Sequence, residues 1–307
     1  MRVLVLGDLA LDVTLAPSRA LRRGTDVPGA VRLLQGGSAA NAARWLARLG
    51  ARTTLVCAIG RDGPGRALVA ALRADGVLVR AARPVGSRTA RIGMLVDPAT
   101  GERSFVADRG AADLLRPDDL DERWFRGVGA LHLPAYSLLG APLGEAGRAA
   151  ITLARAAGAR ISLDLASAAP LLAGGRFAAH DMVRRVAPDV LFANQHEAIA
   201  FLGEPDTAHL LRFAPVAVVK RGSAGAILLI RGPGGAASPG VRLDVATRPF
   251  PTVDTTGAGD AFDAGFLLAW LAADAAATPA VLRRAVVAGH RAATRQLGTP
   301  LPELTLG

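Results

Sequence analysis

The sequence predicts an α/β fold, a mainly parallel sheet covered by helices on both faces, with a small antiparallel β lid. Three observations point there. Short continuous apolar runs alternate with helical patterns along the chain, as strands buried on both faces of a parallel sheet require. No Pro/Gly/Ser-rich linker divides the chain, so a single domain over residues 1–307 is expected. Two stretches, 9–35 and 77–113, carry few helical signals and alternate apolar with polar residues instead, which makes them the lid.

Taken in order, residues 3–6 read as a buried strand and 39–49 as a helix closed by Gly50. A strand at 53–59 and a helix at 65–73 follow. Later strands, each leading into a helix, lie at 130–133, 161–165, 190–193 and 216–220. Within the second alternating stretch, residues 89–96 form a strand, 97–101 a turn and 103–107 another strand. Residues 232–235 are a loop.

Composition bounds the function. The chain is 51% hydrophobic and 20% charged, apolar enough for a large core. Its single cysteine, Cys57, excludes a disulfide framework and a zinc site built on several thiolates, and points to a reducing compartment. The first strand runs straight into Asp8, too short for a signal-peptide core. No uncharged apolar run approaches the roughly 18–20 residues that span a bilayer; the best, 266–282, is broken by Asp274. A cytoplasmic protein without a membrane partner is expected. The net charge of +10 raises the question of nucleic acid. Yet all the basic residues except Lys220 are arginines, scattered singly or in pairs with no aromatic interleaving, so no nucleic-acid partner is expected.

The strongest motif is Val253-Asp254-Thr255-Thr256-Gly257-Ala258-Gly259-Asp260-Ala261-Phe262, opening a helix whose Phe262, Phe266, Ala269 and Trp270 share one face. Gly257 and Gly259 let the backbone turn sharply beside a ligand. With Ala258 they place free N–H groups at a helix N-terminus, which attracts an anion. An acid there is no anion ligand, but it suits a base taking the proton of a hydroxyl that attacks phosphorus; Asp260 holds that place. The competing reading, a helix cap behind a tight turn, loses ground to the preceding Asp-Thr-Thr.

A second motif, Gly36-Gly37-Ser38-Ala39-Ala40-Asn41, opens space at a strand-to-helix junction and offers the donors and acceptors of Asn41 to a polyhydroxylated ligand. Asn194 and Glu197, three apart at a helix start, either organise water around Mg²⁺ or simply cap the helix; both readings stay open. Lys220, at a strand end before Gly222, suits a donor phosphate as a compact ammonium. No histidine pair has metal-ligand spacing.

Together these segments resemble the ribokinase-like (PfkB-type) carbohydrate kinases. Gly36-Gly37-Ser38-Ala39-Ala40-Asn41-Ala42-Ala43 is similar to the family's N-terminal signature, Asp254 to Phe262 to its C-terminal one, and Gly60-Arg61-Asp62-Gly63-Pro64-Gly65 to the loop after its second strand. The resemblance implies a three-layer α/β/α core with a lid, and transfer of the γ-phosphate of ATP, with Mg²⁺, to a hydroxyl of a sugar or sugar-like molecule. It implies that Asp12 and the Gly36–Gly37–Asn41 loop hold the sugar, with Asp8 a weaker candidate. It places Asn194, Lys220, Gly222, Thr255, Gly257 and Gly259 at ATP, and Asn194 and Glu197 at Mg²⁺ through water. It also gives Asp254 to a monovalent cation such as K⁺, residues 286–290 to the adenine wall, and the lid to a homodimer contact.

This chain departs from ribokinases proper in three places. Ser38 stands where they carry lysine, no Glu follows Leu131-His132-Leu133-Pro134-Ala135-Tyr136, and Asp164-Leu165-Ala166 lacks the Asn of their Asp-x-Asn. Plain ribose is therefore not favoured. Arg91 and Arg109 would suit a sugar acid or sugar phosphate, and Tyr136 or Phe105 a nucleoside base, against the plainer readings of solvated and packed side chains. A nucleoside kinase of this fold is the first alternative. A catalytically silent binding protein is the second, and it would be expected to lack Asp260 or the glycines. A dinucleotide-binding enzyme would need Gly-x-Gly-x-x-Gly after the first strand, and Gly7 begins no such pattern.

Overall fold

The computed structural model describes residues 1–232, 234, 240–252, 254–299 and 301–306. Val253 of the C-terminal motif and part of the loop expected at 232–235 lie outside the described residues.

Period-two alternation along the strands builds two cores, one on each face of a sheet. In β1 (Arg2–Leu6), Val3 and Val5 join one cluster while Leu4 and Leu6 join the other. The same division separates Val190 and Phe192 from Leu191 and Ala193 in β10 (Val190–Asn194). On the first face lie α1 (Ser38–Arg48), α2 (Gly63–Ala74), α7 (Ala258–Leu271) and α8 (Pro279–Gly298). On the second are α3 (Leu143–Ala156), α4 (Ala168–Leu172), α5 (Arg176–Val186) and α6 (Gln195–Leu202). This is the three-layer core that the alternation of strands and helices implies.

The remaining strands of the large sheet are β4 (Arg52–Ala58), β5 (Leu78–Ala82), β8 (Ala130–Pro134), β9 (Arg160–Asp164), β11 (Val216–Lys220), β12 (Ala226–Ile230) and β13 (Val241–Val245). Their order is β13-β12-β11-β10-β9-β8-β1-β4-β5, with every pairing parallel except β11–β12 and β12–β13. The winding direction reverses between β1 and β8. In open α/β sheets ligands bind outside the carboxyl ends of the strands near such a reversal. Asp8, Asp164, Asn194 and Lys220 all lie at or just past those ends.

A second sheet of four strands has the order β3-β2-β6-β7, from β2 (Ala10–Pro17), β3 (Gly29–Gly36), β6 (Ala90–Val96) and β7 (Arg103–Asp108). Its outer pairings are antiparallel, as expected. The central β2–β6 pairing is parallel, because both strands leave the same edge of the large sheet, after β1 and β5. The expected boundary at residue 77 needs correction: β5 pairs with β4 in the large sheet, so the second excursion begins after Ala82. The Gly60–Gly65 loop fixes the root of that excursion. Asp62 caps α2 through the Gly65 N–H at 3.0 Å, and its other oxygen accepts from the Thr89 N–H at 2.9 Å. Among the described residues no helix is long and apolar enough to cross a membrane.

Candidate active site

Three glycines shape the site. A Cβ on Gly36 would lie 2.0 Å from an Asp12 carboxylate oxygen, and one on Gly37 would lie 2.5 Å from the Asp8 carbonyl oxygen. The paired glycines therefore admit Asp8, between β1 and β2, and Asp12 of β2 to the start of α1. Gly257 takes φ +73° ahead of α7, a conformation that favours glycine, and turns the chain into the helix.

Asp260 stands in the first turn of α7, half-buried. Its Oδ1 accepts from the Ser38 hydroxyl at 2.6 Å and its Oδ2 from the Asn41 side-chain amide at 2.9 Å. The two sequence motifs, more than two hundred residues apart in the chain, thus meet at one carboxylate. Burial pushes the Asp260 carboxyl up to about 6, against the two hydrogen bonds that favour the charged form. Around it, Asp12 is pushed up to about 7 by burial and by the neighbouring charges of Asp8 and Asp260.

The first intrahelical bond of α7 runs from the Ala261 N–H to the Gly257 carbonyl, so the Gly259 and Asp260 amides precede the helical ladder. The Ala258 N–H, expected among the anion donors, instead donates to the Thr255 carbonyl at 3.2 Å. The loop is braced from behind: Gln296 of α8 donates to the Thr256 carbonyl at 3.1 Å and accepts from the Trp45 indole of α1 at 2.7 Å.

Several residues nominated from sequence have other partners. Lys220 Nζ, near the loop as expected, donates to Asp164 at 2.9 Å and to Asp263 at 3.1 Å; its side chain is 13% exposed. A Cβ on Gly259 would lie 3.4 Å from that ammonium, so Lys220 sits directly under the anion loop while held by two carboxylates. Asn194 and Glu197 form a reciprocal capping box at the start of α6, each backbone N–H donating to the other's side chain at 2.8 Å. Glu197 is buried, and burial followed by the charge of Asp164 pushes it up to about 7.

Asp254, expected to hold a monovalent cation, also meets protein donors. Its exposed carboxylate accepts from Arg103 Nη1 at 3.1 Å and from the Thr256 N–H at 2.9 Å. Arg103, on β7, also donates to the hydroxyls of Thr255, at 2.6 Å, and Thr256. The small sheet is thereby tied to the loop that precedes Gly257. Arg109 proves neither solvated nor free for a substrate anion: it pairs with Asp8 at 3.2 Å and Asp113 at 2.9 Å, and lies 5.1 Å over the Tyr136 ring. Arg91 reaches to 4.0 Å from Asp62. Phe105 is exposed on β7.

A cavity of about 560 Å³ opens between the segment after β13 and α8, lined by Ala246, Thr247, Arg248, Val287, His290 and Arg291 among others. Of the residues expected to wall a base, Val287 and His290 face it, whereas Val286 is fully buried in the core and Gly289 packs against Phe262. Gly222, with φ +57° just beyond β11, has open space where a Cβ would lie. His132 is structural: it is buried beside Ser162 at 2.9 Å, and burial pushes it down to about 4. Among the described residues no cluster of three or more His, Cys, Asp or Glu is arranged to hold a metal ion unaided.

A sequence model described as "pfkB family carbohydrate kinase" matches residues 1–303. The chain belongs to this family of carbohydrate kinases. Among curated PfkB relatives, an ATP-dependent ribose-1-phosphate kinase of Halopiger xanaduensis is 31% identical over 277 residues, covering 88% of this chain and 85% of its own. A fructokinase of Klebsiella pneumoniae is 33% identical over 284 residues, covering 89% and 85%. Among solved structures, adenosine kinase from Sinorhizobium meliloti superposes with a TM-score of 0.78 at 24% identity, over 98% of this chain and 95% of its own. A putative ribokinase II from E. coli in complex with ATP and Mg²⁺ does so at 0.78 and 23%, over 98% and 94%. These two likenesses show the fold. Sequence reasoning missed Asp263, Arg103 and Gln35 in this PfkB chain. Only Asp263 left a signal, as an acid amid the apolar run of its helix that would need a buried partner.

Proposed function

We propose that this PfkB-family kinase transfers the γ-phosphate of ATP to a hydroxyl of a sugar or sugar-like small molecule, with Asp260 as the base. One observation carries the proposal: Asp260 is held by Ser38 and Asn41 on the sugar-side loop while standing in the first turn of the helix that offers its amides to a phosphate. A carboxylate raised to about 6 stays ionised at neutral pH and is a stronger base than an ordinary aspartate.

In this reading the acceptor hydroxyl lies among Asp12, Asn41 and Asp260, and the charge growing on the transferred group meets the Gly257 and Gly259 amides. Fixed donors aimed at that charge supply much of the catalysis in phosphoryl transfer. The adenosine end of ATP takes the cavity at Val287 and His290, with its chain running past Gly222 and Thr255 towards Lys220. The carboxylates of Glu197 and Asp164, mutually repelling, fit a divalent cation bound through water beside Asn194. Mg²⁺ there would neutralise phosphate charge. The four-stranded sheet acts as the lid, excluding water from the acceptor. Its exposed Val31, Phe105 and Val106 support a homodimer contact through the lid. A cytoplasmic setting agrees with the free, buried Cys57.

A polyol acceptor is favoured over a nucleoside because the residues converging on Asp260 are polar and the Tyr136 face is taken by Arg109. The test is Asp260→Asn, which should fold and bind ATP yet lose about 10²–10⁴-fold in phosphotransfer. Near-normal turnover would remove Asp260 as the base. An ADP-release screen over pentoses, hexoses, sugar acids, sugar phosphates and nucleosides identifies the acceptor; silence across it with ATP bound would favour a binding protein.

A further inference from the structure

Gln35, the last residue but one of β3, is 2% exposed and directly precedes the paired glycines. Its side-chain amide nitrogen donates to the Gly36 carbonyl at 2.9 Å and to the Asn41 Oδ1 at 3.0 Å. The Asn41 Nδ2 then donates to Asp260 at 2.9 Å. The polarity of this chain is forced from both ends. A backbone carbonyl only accepts, so Gln35 must present nitrogen to Gly36; an ionised carboxylate only accepts, so Asn41 must present nitrogen to Asp260. The amide of Gln35 satisfies both requirements, since its second N–H takes the oxygen end of Asn41. Its own Oε1 is buried with no partner among the described residues. Burying an unpaired carbonyl is costly, so the sequence retains this glutamine against the cost of one half of its amide.

We propose that Gln35 is a positioning residue for the base: it fixes the orientation of Asn41, and through Asn41 the donor that Asp260 keeps on Oδ2. Without the Gln35 amide, Asn41 is free to rotate by half a turn and let Oδ1 accept from Asp260 once that carboxyl is protonated. An oxygen facing Asp260 favours the protonated acid, whereas an N–H favours the anion. Loss of Gln35 therefore makes the base harder to ionise without removing any group that touches the substrate hydroxyl. Asp260 is also faced by Asp12 from β2, Asp164 from β9, Glu197 from α6 and Lys220 from β11. A change at Gln35 leaves all four in place, so a shifted titration reports the amide relay.

The inference rests on Asp260 being the base, and the test separates the two. Gln35→Met keeps the volume and removes the amide. The acid limb of its kcat/KM profile should move to higher pH by about half a unit or more, with a loss at pH 6 of about twofold or more and an unchanged KM for ATP. Asn41→Ala should move the same limb, and adding Gln35→Met to it should change nothing further. An unmoved limb in Gln35→Met, or effects that add in the double variant, would overturn the relay. A second measurement needs no variant: on titrating the unsubstituted protein, the side-chain amide resonances of Asn41 and Gln35 should both shift with the midpoint of the acid limb. A Gln35 amide that stays still overturns the proposal even if Gln35→Met fails to fold. If Asp260→Asn retains turnover, the base assignment fails first; if it is inactive while Gln35→Met titrates normally, the relay alone fails.

Discussion

Lys220 Nζ lies 3.1 Å from the carboxylate of Asp263, a residue with no solvent exposure, and 2.9 Å from that of Asp164. The chain's single lysine thus closes an ion cluster between β9, β11 and α7. The ammonium holds Asp164 below the usual carboxylate range, while burial beside Asp164 pushes Asp263 well above it. Burial thus favours the proton on Asp263, and Lys220 favours the charged form of Asp164. Lys220→Ala would strand Asp164 in the core and should cost about 3–5 kcal/mol of unfolding free energy. Asp263→Asn preserves shape and leaves the pair intact, so it should cost less than about 1.5 kcal/mol. Urea unfolding of both variants checks the ordering; equal losses would show Asp263 to be the ionised partner.

That cluster marks the boundary of what was legible in the sequence. The strands announced themselves through apolar runs, and Asn41 and Asp260 each stood out in a motif whose glycines point to a close approach, but that the two side chains bond one another shows only in the fold. Lys220 stood out by composition, but its partner did not. Asp263 lies three residues beyond Asp260 in a helix with apolar residues all round, and only packing reveals which strand residue faces it. Arg103 was hidden differently: its contacts depend on how the small sheet leans over the loop, which no local pattern encodes. β5 was assigned to the lid because residues 77–113 show little helical periodicity, yet five residues pairing with β4 suffice to anchor it in the large sheet.

The raised Asp260 carboxyl sets the pH behaviour of turnover. The base must be ionised, so kcat/KM should fall tenfold per unit below an apparent midpoint near 6, where an unperturbed aspartate would hold activity down to about 4. Initial rates from pH 4.5 to 8.5 with both substrates limiting give the midpoint. A limb near 4 would mean that the carboxylate is more solvated in the working enzyme.

Arg103 joins the small sheet to Asp254, Thr255 and Thr256, next to the turn at Gly257. Its partner Asp254 is largely exposed, so the ion pair itself adds little stability, and Arg103→Ala should change unfolding free energy by less than about 1 kcal/mol. The loop geometry depends on it more strongly, because three side chains share one guanidinium. Turnover in Arg103→Ala should drop by about tenfold or more, with Arg103→Lys unable to restore it, since an ammonium lacks the planar fork. Parallel melting curves and kcat values decide; a loss of stability with normal turnover would make the contact purely structural.

Asp12 offers a test in the unliganded protein. Its carboxyl is raised from 3.8 to about 7 by burial, Asp8 and Asp260, and it occupies the space that Gly36 leaves open. A carboxyl whose folded value exceeds its unfolded one contributes full stability below the unfolded value and loses it as pH rises through the folded one. Ionising Asp12 among two other carboxylates therefore destabilises the fold above about pH 7, and little is felt at pH 4. Asp12→Asn removes that cost. It should raise the unfolding free energy by on the order of 2 kcal/mol at pH 8 and leave it nearly unchanged at pH 4, with the gap opening between those values. The same variant should weaken binding of the acceptor, because a carboxylate accepts two hydroxyl hydrogen bonds where an amide oxygen accepts fewer. Thermal melts across pH, paired with acceptor KM at pH 8, separate the two effects. A stability difference between Asp12→Asn and the unsubstituted protein that is the same at both pH values would show that the three carboxylates are too well hydrated to repel one another, and that the site is tuned by solvent rather than by burial.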